Sequence, residues 1–102
     1  MKRGTTPTLH CSVTGADLSG TKIYATLRQG DQEITVLDPE CETTEEGCSV
    51  TFTLTQEQTL KLKNGRVSVQ LRWVDRTGAA AATPTTTISV DKILKEGEIT
   101  YE

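Results

Sequence analysis

The chain has 102 residues, a length at which one domain buries roughly 60 to 70 % of the surface its unfolded form exposes, enough for a single modest core. Only 34 % of the residues are hydrophobic and four are aromatic, Tyr24, Phe52, Trp73 and Tyr101, so the core has to be built from Val, Ile, Leu, Ala and Thr methyls, a palette that suits strands. The net charge of −3, from 11 basic and 14 acidic residues, excludes a general nucleic-acid binder, whose surface has to be positive to meet phosphate.

The distribution of charge says more than its sum. From Gln29 to Leu60 there is no Lys or Arg but there are eight acids, Asp31, Glu33, Asp38, Glu40, Glu42, Glu45, Glu46 and Glu57. The remainder carries all 11 bases and the other six acids, +5 against −8, so the molecule is expected to be electrically two-sided. No apolar run reaches ten residues, which leaves no transmembrane helix and no signal-peptide core behind Met1, Lys2 and Arg3. Synthesis in the cytoplasm is expected, with the three cysteines as reduced thiols.

Met1 to Pro7 has no periodicity and combines two cations with Gly4 and Pro7, the pattern of an arm that is mobile unless something outside the domain holds it. Thr8 to Val13 alternates, with Leu9, Cys11 and Val13 on one face and His10 and Ser12 on the other, as a strand does. Thr14 to Gly20 is a turn cluster in which Leu18 can dip back to the core. Lys22 to Arg28 alternates again, Ile23, Ala25 and Leu27 inward. Gly30-Asp31 closes a hairpin, since Gly accepts the positive φ of short hairpin loops, and Glu33 to Leu37 returns with Ile34 and Val36 inward. Asp38 to Gly47 (DPECETTEEG) is too densely charged for burial and reads as an exposed acidic loop or ragged hairpin tip. Cys48 to Leu54 turns Cys48, Val50, Phe52 and Leu54 inward. Thr55 and Gln58 have the spacing of a capping box for about one turn of helix before Asn64-Gly65, with Leu60 and Leu62 pinning the connection.

Gly65 to Val74 (GRVSVQLRWV) is the longest clean alternation in the chain. Val67, Val69, Leu71 and Trp73 share one face, which predicts the central strand of a sheet with Trp73 filling the core. Asp75 to Gly78 makes a tight turn. Four consecutive alanines are too few to nucleate a helix, and Pro84, three threonines, Ile88 and Val90 favour extended chain with Pro84 at a sheet edge or bulge. The tail from Asp91 carries Ile93, Leu94, Ile99 and Tyr101 around Gly97, either a last strand or an arm that docks elsewhere. About seven short strands without a crossover helix predict an all-β, antiparallel, immunoglobulin-like β-sandwich, with a small β-barrel as the alternative. The expected organisation is an arm over 1–7, a sandwich over 8–90 and a strand or docking arm over 91–102.

Little in the sequence carries chemistry. The one histidine, His10, adjoins Cys11, but neighbouring strand residues point to opposite faces and cannot work as nucleophile and base. Cys11, Cys41, Cys48 and His10 are zinc-ligand types without the close Cys-x-x-Cys pairing of structural sites. Cys41 and Cys48 can flank a hairpin within the about 7 Å that a disulfide needs, although a reducing cytosol favours two free thiols. The acidic loop lacks the Asp-x-Asp-x-Asp-Gly order of a calcium loop, and no glycine-rich phosphate loop is present. The expectation is a protein without enzymatic activity, cofactor or metal.

Three stretches together, RGTTPTL (Arg3 to Leu9), LTQEQTLKLKNGRVSVQLRWVDRTG (Leu54 to Gly78) and TISVDKILKEGEI (Thr87 to Ile99), resemble small structural proteins from tailed bacteriophages and prophages of Gram-positive hosts. The layout is similar to the N-terminal immunoglobulin-like domain of phage baseplate upper protein. The resemblance implies a virion structural protein of the tail or baseplate, made in the host cytoplasm and carried in the virion. It would act through contacts with other virion proteins or copies of itself, and be homo-oligomeric in the assembled particle, with no nucleic-acid or membrane partner. On that reading Lys2, Arg3, Ile93, Leu94, Ile99 and Tyr101 reach a neighbour. The acidic loop of Asp38, Glu40, Glu42, Glu45 and Glu46 meets a basic surface carrying Lys22, Arg66 or Arg72. The competing readings are an adhesion or carbohydrate-binding sandwich, for which Tyr24 is the sole strand aromatic expected to face outward, and a phage-encoded host-interaction protein.

Overall fold

The computed structural model of the chain describes residues 1–15 and 18–101; Ala16 and Asp17 of the expected first turn, and Glu102 of the tail, lie outside the described residues. Eight strands and one short helix follow in the order β1 (Thr8–Thr14), β2 (Lys22–Gln29), β3 (Gln32–Leu37), β4 (Glu40–Thr43), β5 (Gly47–Thr53), α1 (Gln56–Leu60), β6 (Gly65–Val74), β7 (Ala80–Ala82) and β8 (Thr86–Val90). They form two antiparallel sheets, β1-β5-β4 and β3-β2-β6 with β7 and β8 both on the far side of β6. This is an all-β sandwich, with no closed barrel among the described residues. No helix among the described residues is long and apolar enough to cross a membrane.

The alternation in the sequence is what puts these residues in strands. Ile23, Ala25 and Leu27 of β2 face Trp73, Leu71 and Val69 of β6 in register, and Val13 and Cys11 of β1 face Cys48 and Val50 of β5. One face of each sheet is thereby apolar, and the two faces close on a core that includes Ala25, Leu27, Val50, Leu54, Leu62 and Val67, all fully buried. Burying each of the larger aliphatic side chains stabilises the fold by about 1.5–3 kcal/mol relative to leaving it in water. Leu18 returns to this core from the β1–β2 connection.

Local chemistry closes the turns. The β2–β3 hairpin is a two-residue loop, Gly30-Asp31, joining Gln29 to its partner Gln32, with Gly30 at φ 58. Thr55 caps α1: its hydroxyl accepts from Gln58 N at 3.1 Å while the Gln58 side chain accepts from Thr55 N at 2.9 Å, the reciprocal capping box that satisfies two otherwise orphaned donors. β7 and β8 are one strand broken around Pro84. The gap is bridged by Thr83, whose N–H donates to Leu71 O and whose hydroxyl accepts from Leu71 N. The alanine run is extended, exposed and three residues of strand, as the nucleation argument requires.

Trp73 departs from expectation. It lies on the inward face of β6 but is only half-buried, packed against the core from its margin. Its cross-strand neighbour on β7 is Ala81, itself exposed, so one side of the indole has a methyl group for cover where a larger side chain would have sealed it.

Candidate interaction surface

The acidic segment becomes the outer edge of the smaller sheet. β4 pairs only with β5, Glu40 opposite Thr51 and Glu42 opposite Ser49, which sets both carboxylates on the outer face. Asp38 precedes the strand, and Glu45 and Glu46 sit in the tight β4–β5 connection, where Thr44 and Gly47 bond each other through their backbones. All five acids are exposed, and none of them takes part in an ion pair among the described residues.

On its inner side this edge is stapled by a disulfide, Cys41–Cys48, with Cα atoms 6.5 Å apart. That corrects the expectation of reduced thiols. Cys41 is directly opposite Val50, and Cys48 is two residues along β5 from Val50, so both cysteines share the inward face at diagonal positions, within the reach of a disulfide. Cys11 remains as the free thiol, half-buried, with burial pushing its pKa up. His10 points the other way and its Nδ1 bonds the hydroxyl of Thr51 at 3.1 Å. Among the described residues no group of three or more His, Cys, Asp or Glu is placed to hold a metal ion.

The outer face of the larger sheet carries four of the 11 bases, Lys22, Arg28, Arg66 and Arg72, together with Glu33. On the outer surface of the larger sheet Arg72 is opposite Tyr24, Arg28 opposite Ser68, and Arg66 opposite Ser89. Arg28 spends its charge on Glu33 across the β2–β3 hairpin at 3.0 Å. Lys22, Arg66 and Arg72 are exposed and form no ion pair among the described residues. A shallow groove of about 280 Å³ on this face is lined by Arg28, Arg72 and Glu33 with Thr26, Ser68, Gln70 and Thr85.

The two ends of the chain do not behave as free arms. Lys2 bridges Asp91 in parallel, Met1 O accepts from Asp91 N at 2.7 Å, Arg3 N donates to Asp91 O at 3.0 Å, and the terminal ammonium donates to Ser89 O. The Arg3 guanidinium donates to the carbonyls of Leu60, the last residue of α1, and of Leu62 just past it, and its Nη1 donates to both carboxylate oxygens of Glu96 at 2.7 and 2.8 Å. Gly4, at φ 67, lets the arm turn against the tail: a Cβ there would lie 2.9 Å from Ile93 Cδ1 and 3.2 Å from Leu60 Cδ2. Farther out, Gln56 clamps the peptide of Ile99, donating to its O and accepting from its N, each at 2.9 Å.

These contacts sort the expected partner residues. The side chains of Arg3 and Ile93 are committed to the chain's own fold, Arg3 by supplying donors to carbonyls at the C-terminal end of α1 that lack helical partners, and Ile93 by lying against Gly4. Lys2 is exposed, Ile99 half open at 57 %, and Leu94 and Tyr101 fully exposed. Of the expected partner residues, those that remain exposed are Lys2, Leu94, Ile99 and Tyr101 at the joined termini, and Asp38, Glu40, Glu42, Glu45 and Glu46 on and around β4. Sequence reasoning passed over the roles of Arg3, Gln56 and Gln29, the last of which clamps Lys63 through its N and O at 2.6 and 2.7 Å. A polar side chain that satisfies a backbone group more than 30 residues away leaves no periodic signal. No protein-family model matches this chain and no curated protein sequence matches it.

Proposed function

We propose that the chain is a non-enzymatic structural module of a tailed-phage or prophage particle, acting by protein–protein contact at the tail or baseplate. The three stretches named above resemble such proteins, and the observation that carries the reading is the separation of charge on a rigid sandwich. Five carboxylates that form no ion pair among the described residues lie on and around the β4 edge, while Lys22, Arg66 and Arg72 sit on the outer face of the other sheet. A stapled β hairpin holding four of those acids, Glu40, Glu42, Glu45 and Glu46, loses little entropy on binding, so a basic neighbour meets a charge array already in place. Exposed charges of this kind steer and orient a contact, and screening limits their reach to about 8 Å at physiological ionic strength.

Mass spectrometry of gradient-purified particles from the bacterium carrying the gene tests the reading. The chain is expected in fixed copy number relative to tail components. Particles lacking it altogether would remove the proposal.

A further inference from the structure

β1 is an edge strand: it pairs with β5 on one side and with nothing described on the other. In the immunoglobulin layout the smaller sheet has a further strand, the first of the fold, outside the position β1 holds. Here the residues that precede β1 turn at Gly4 and join the end of β8 instead. The consequence is visible in the burial. Leu9 and Cys11 are half-buried, whereas their partners on β5, Phe52 and Val50, are 4 % and 0 % exposed. Beside them an open cleft of about 280 Å³ runs between the sheets, lined by Leu9, Cys11, Val69, Leu71, Thr83 and Ile88.

Exposed strand edges template pairing with another chain, and proteins blunt them with charge, Pro, bulges or breaks. Every other edge here is blunted in that way. β4 carries Glu40 and Glu42, β3 carries Glu33 beside Asp31, and the β7–β8 edge is broken at Pro84. Among the edge strands β1 alone has seven residues in unbroken register with no Asp, Glu, Lys, Arg or Pro, TLHCSVT.

We infer that β1 is a self-association edge, where a second copy of this chain adds its own β1 antiparallel across a two-fold axis at Cys11. The strand is self-complementary about that point. Thr8 falls opposite Thr14 of the second copy, Leu9 opposite Val13, and His10 opposite Ser12. Leu9 and Val13 meet on the inward face and cover the open cleft, and the outer face pairs hydroxyls and an imidazole. Charge favours the same occupant. A second copy docking at β4 sets acid against acid, Glu40 and Glu42 of one copy facing those of the other. At β1 the two β4 strands become the outer ends of a six-stranded sheet, five inter-strand spacings or about 24 Å apart, well beyond the screening length. This narrows the partner in the virion reading to a copy at one named edge, and the two fail separately: a monomer in solution leaves presence in particles standing, and absence from particles leaves the dimer standing.

The register supplies its own test. In the full chain, H10K/S12K places two symmetry-related Lys–Lys pairs across the junction, and H10K/S12E places two Lys–Glu pairs. Sedimentation velocity over roughly a hundredfold range of concentration is expected to show a concentration-dependent dimer for the unsubstituted chain. The dissociation constants of the two variants should differ by about tenfold, the Lys–Glu form being tighter. In the unsubstituted chain, hydrogen exchange of β1 amides should slow with concentration while that of β3 amides does not, a reading that does not depend on either variant folding. A monomer at every concentration, equal dissociation constants for the two variants, or protection appearing at β3 or β4 instead would each overturn the inference.

Discussion

Arg3 makes the sharpest claim about stability, because a residue near the start of the chain is asked to hold the end of α1 and the tail together. In Arg3→Met the two donors to the Leu60 and Leu62 carbonyls vanish, and the apolar stem is retained. Hydrogen bonds from a charged donor contribute about 1.5–3 kcal/mol each. The side chain is 18 % exposed, so water reaches the freed carbonyls in part and brings the loss to or below the low end of that range: roughly 2–3 kcal/mol for the two together. For a domain of this size that lowers the thermal midpoint by roughly 10–20 °C. The third partner is separable. Glu96 is 62 % exposed, and a surface pair of that kind is worth about 0–1 kcal/mol, so Glu96→Gln should move the midpoint by at most a few degrees. Urea melts and calorimetry of both variants measure the difference. If Arg3→Met matches the unsubstituted protein to within about 0.5 kcal/mol, below the usual range for one lost bond, or if Glu96→Gln is as costly, the assignment of Arg3 as the clasp is wrong.

Three further outcomes follow from the same geometry. The Cys41–Cys48 staple closes a loop with a sequence separation of seven, so the C41S/C48S variant should lose about 2 kcal/mol by loop-entropy reckoning; an unchanged denaturation midpoint would refute it. Gly47→Ala should cost about 1–3 kcal/mol by overpacking, because a Cβ there would collide with the backbone carbonyl of Val13 on the paired strand; a stability equal to wild type in urea melts would show that the β1–β5 pairing is looser than described. Asp75, at the β6–β7 turn, is held below its ordinary pKa by the Thr77 hydroxyl first and then by backbone N–H groups including those of Ala79 and Thr77. A lowered carboxyl pKa means a contribution present in full above the unfolded value of about 3.9 and lost as pH falls through the folded one. The Asp75 carboxyl resonance should titrate below that value, and Asp75→Asn should flatten the acid side of the stability profile; a normal titration would contradict the turn geometry.

Strand positions were legible because the side-chain period of a half-buried strand is two, and a wrong face would have exposed Leu27, Val50, Val67 and Leu71 together. The capping box of Thr55 and Gln58 and the Gly30-Asp31 hairpin were legible for the same reason: each is a local rule satisfied within four residues. The acidic edge could be seen as an exposed segment, though not as a strand, since Glu40 to Thr43 has no buried residue to set a pattern. The expected partner residues at the termini divided. Leu94 and Tyr101 are exposed, while Arg3 and Ile93 fold back onto the chain that carries them.

By itself the sequence determined an all-β sandwich with β6 central and an uncovered acid-rich segment, because alternation and turn chemistry are local and survive any global arrangement. The tertiary structure decided which thiols meet, which cation clasps α1, how far Trp73 is covered, and that β1 has a free edge. Each of these depends on which strands become neighbours across sequence separations of seven to more than ninety residues, and TLHCSVT reads the same whether one flank is paired or both.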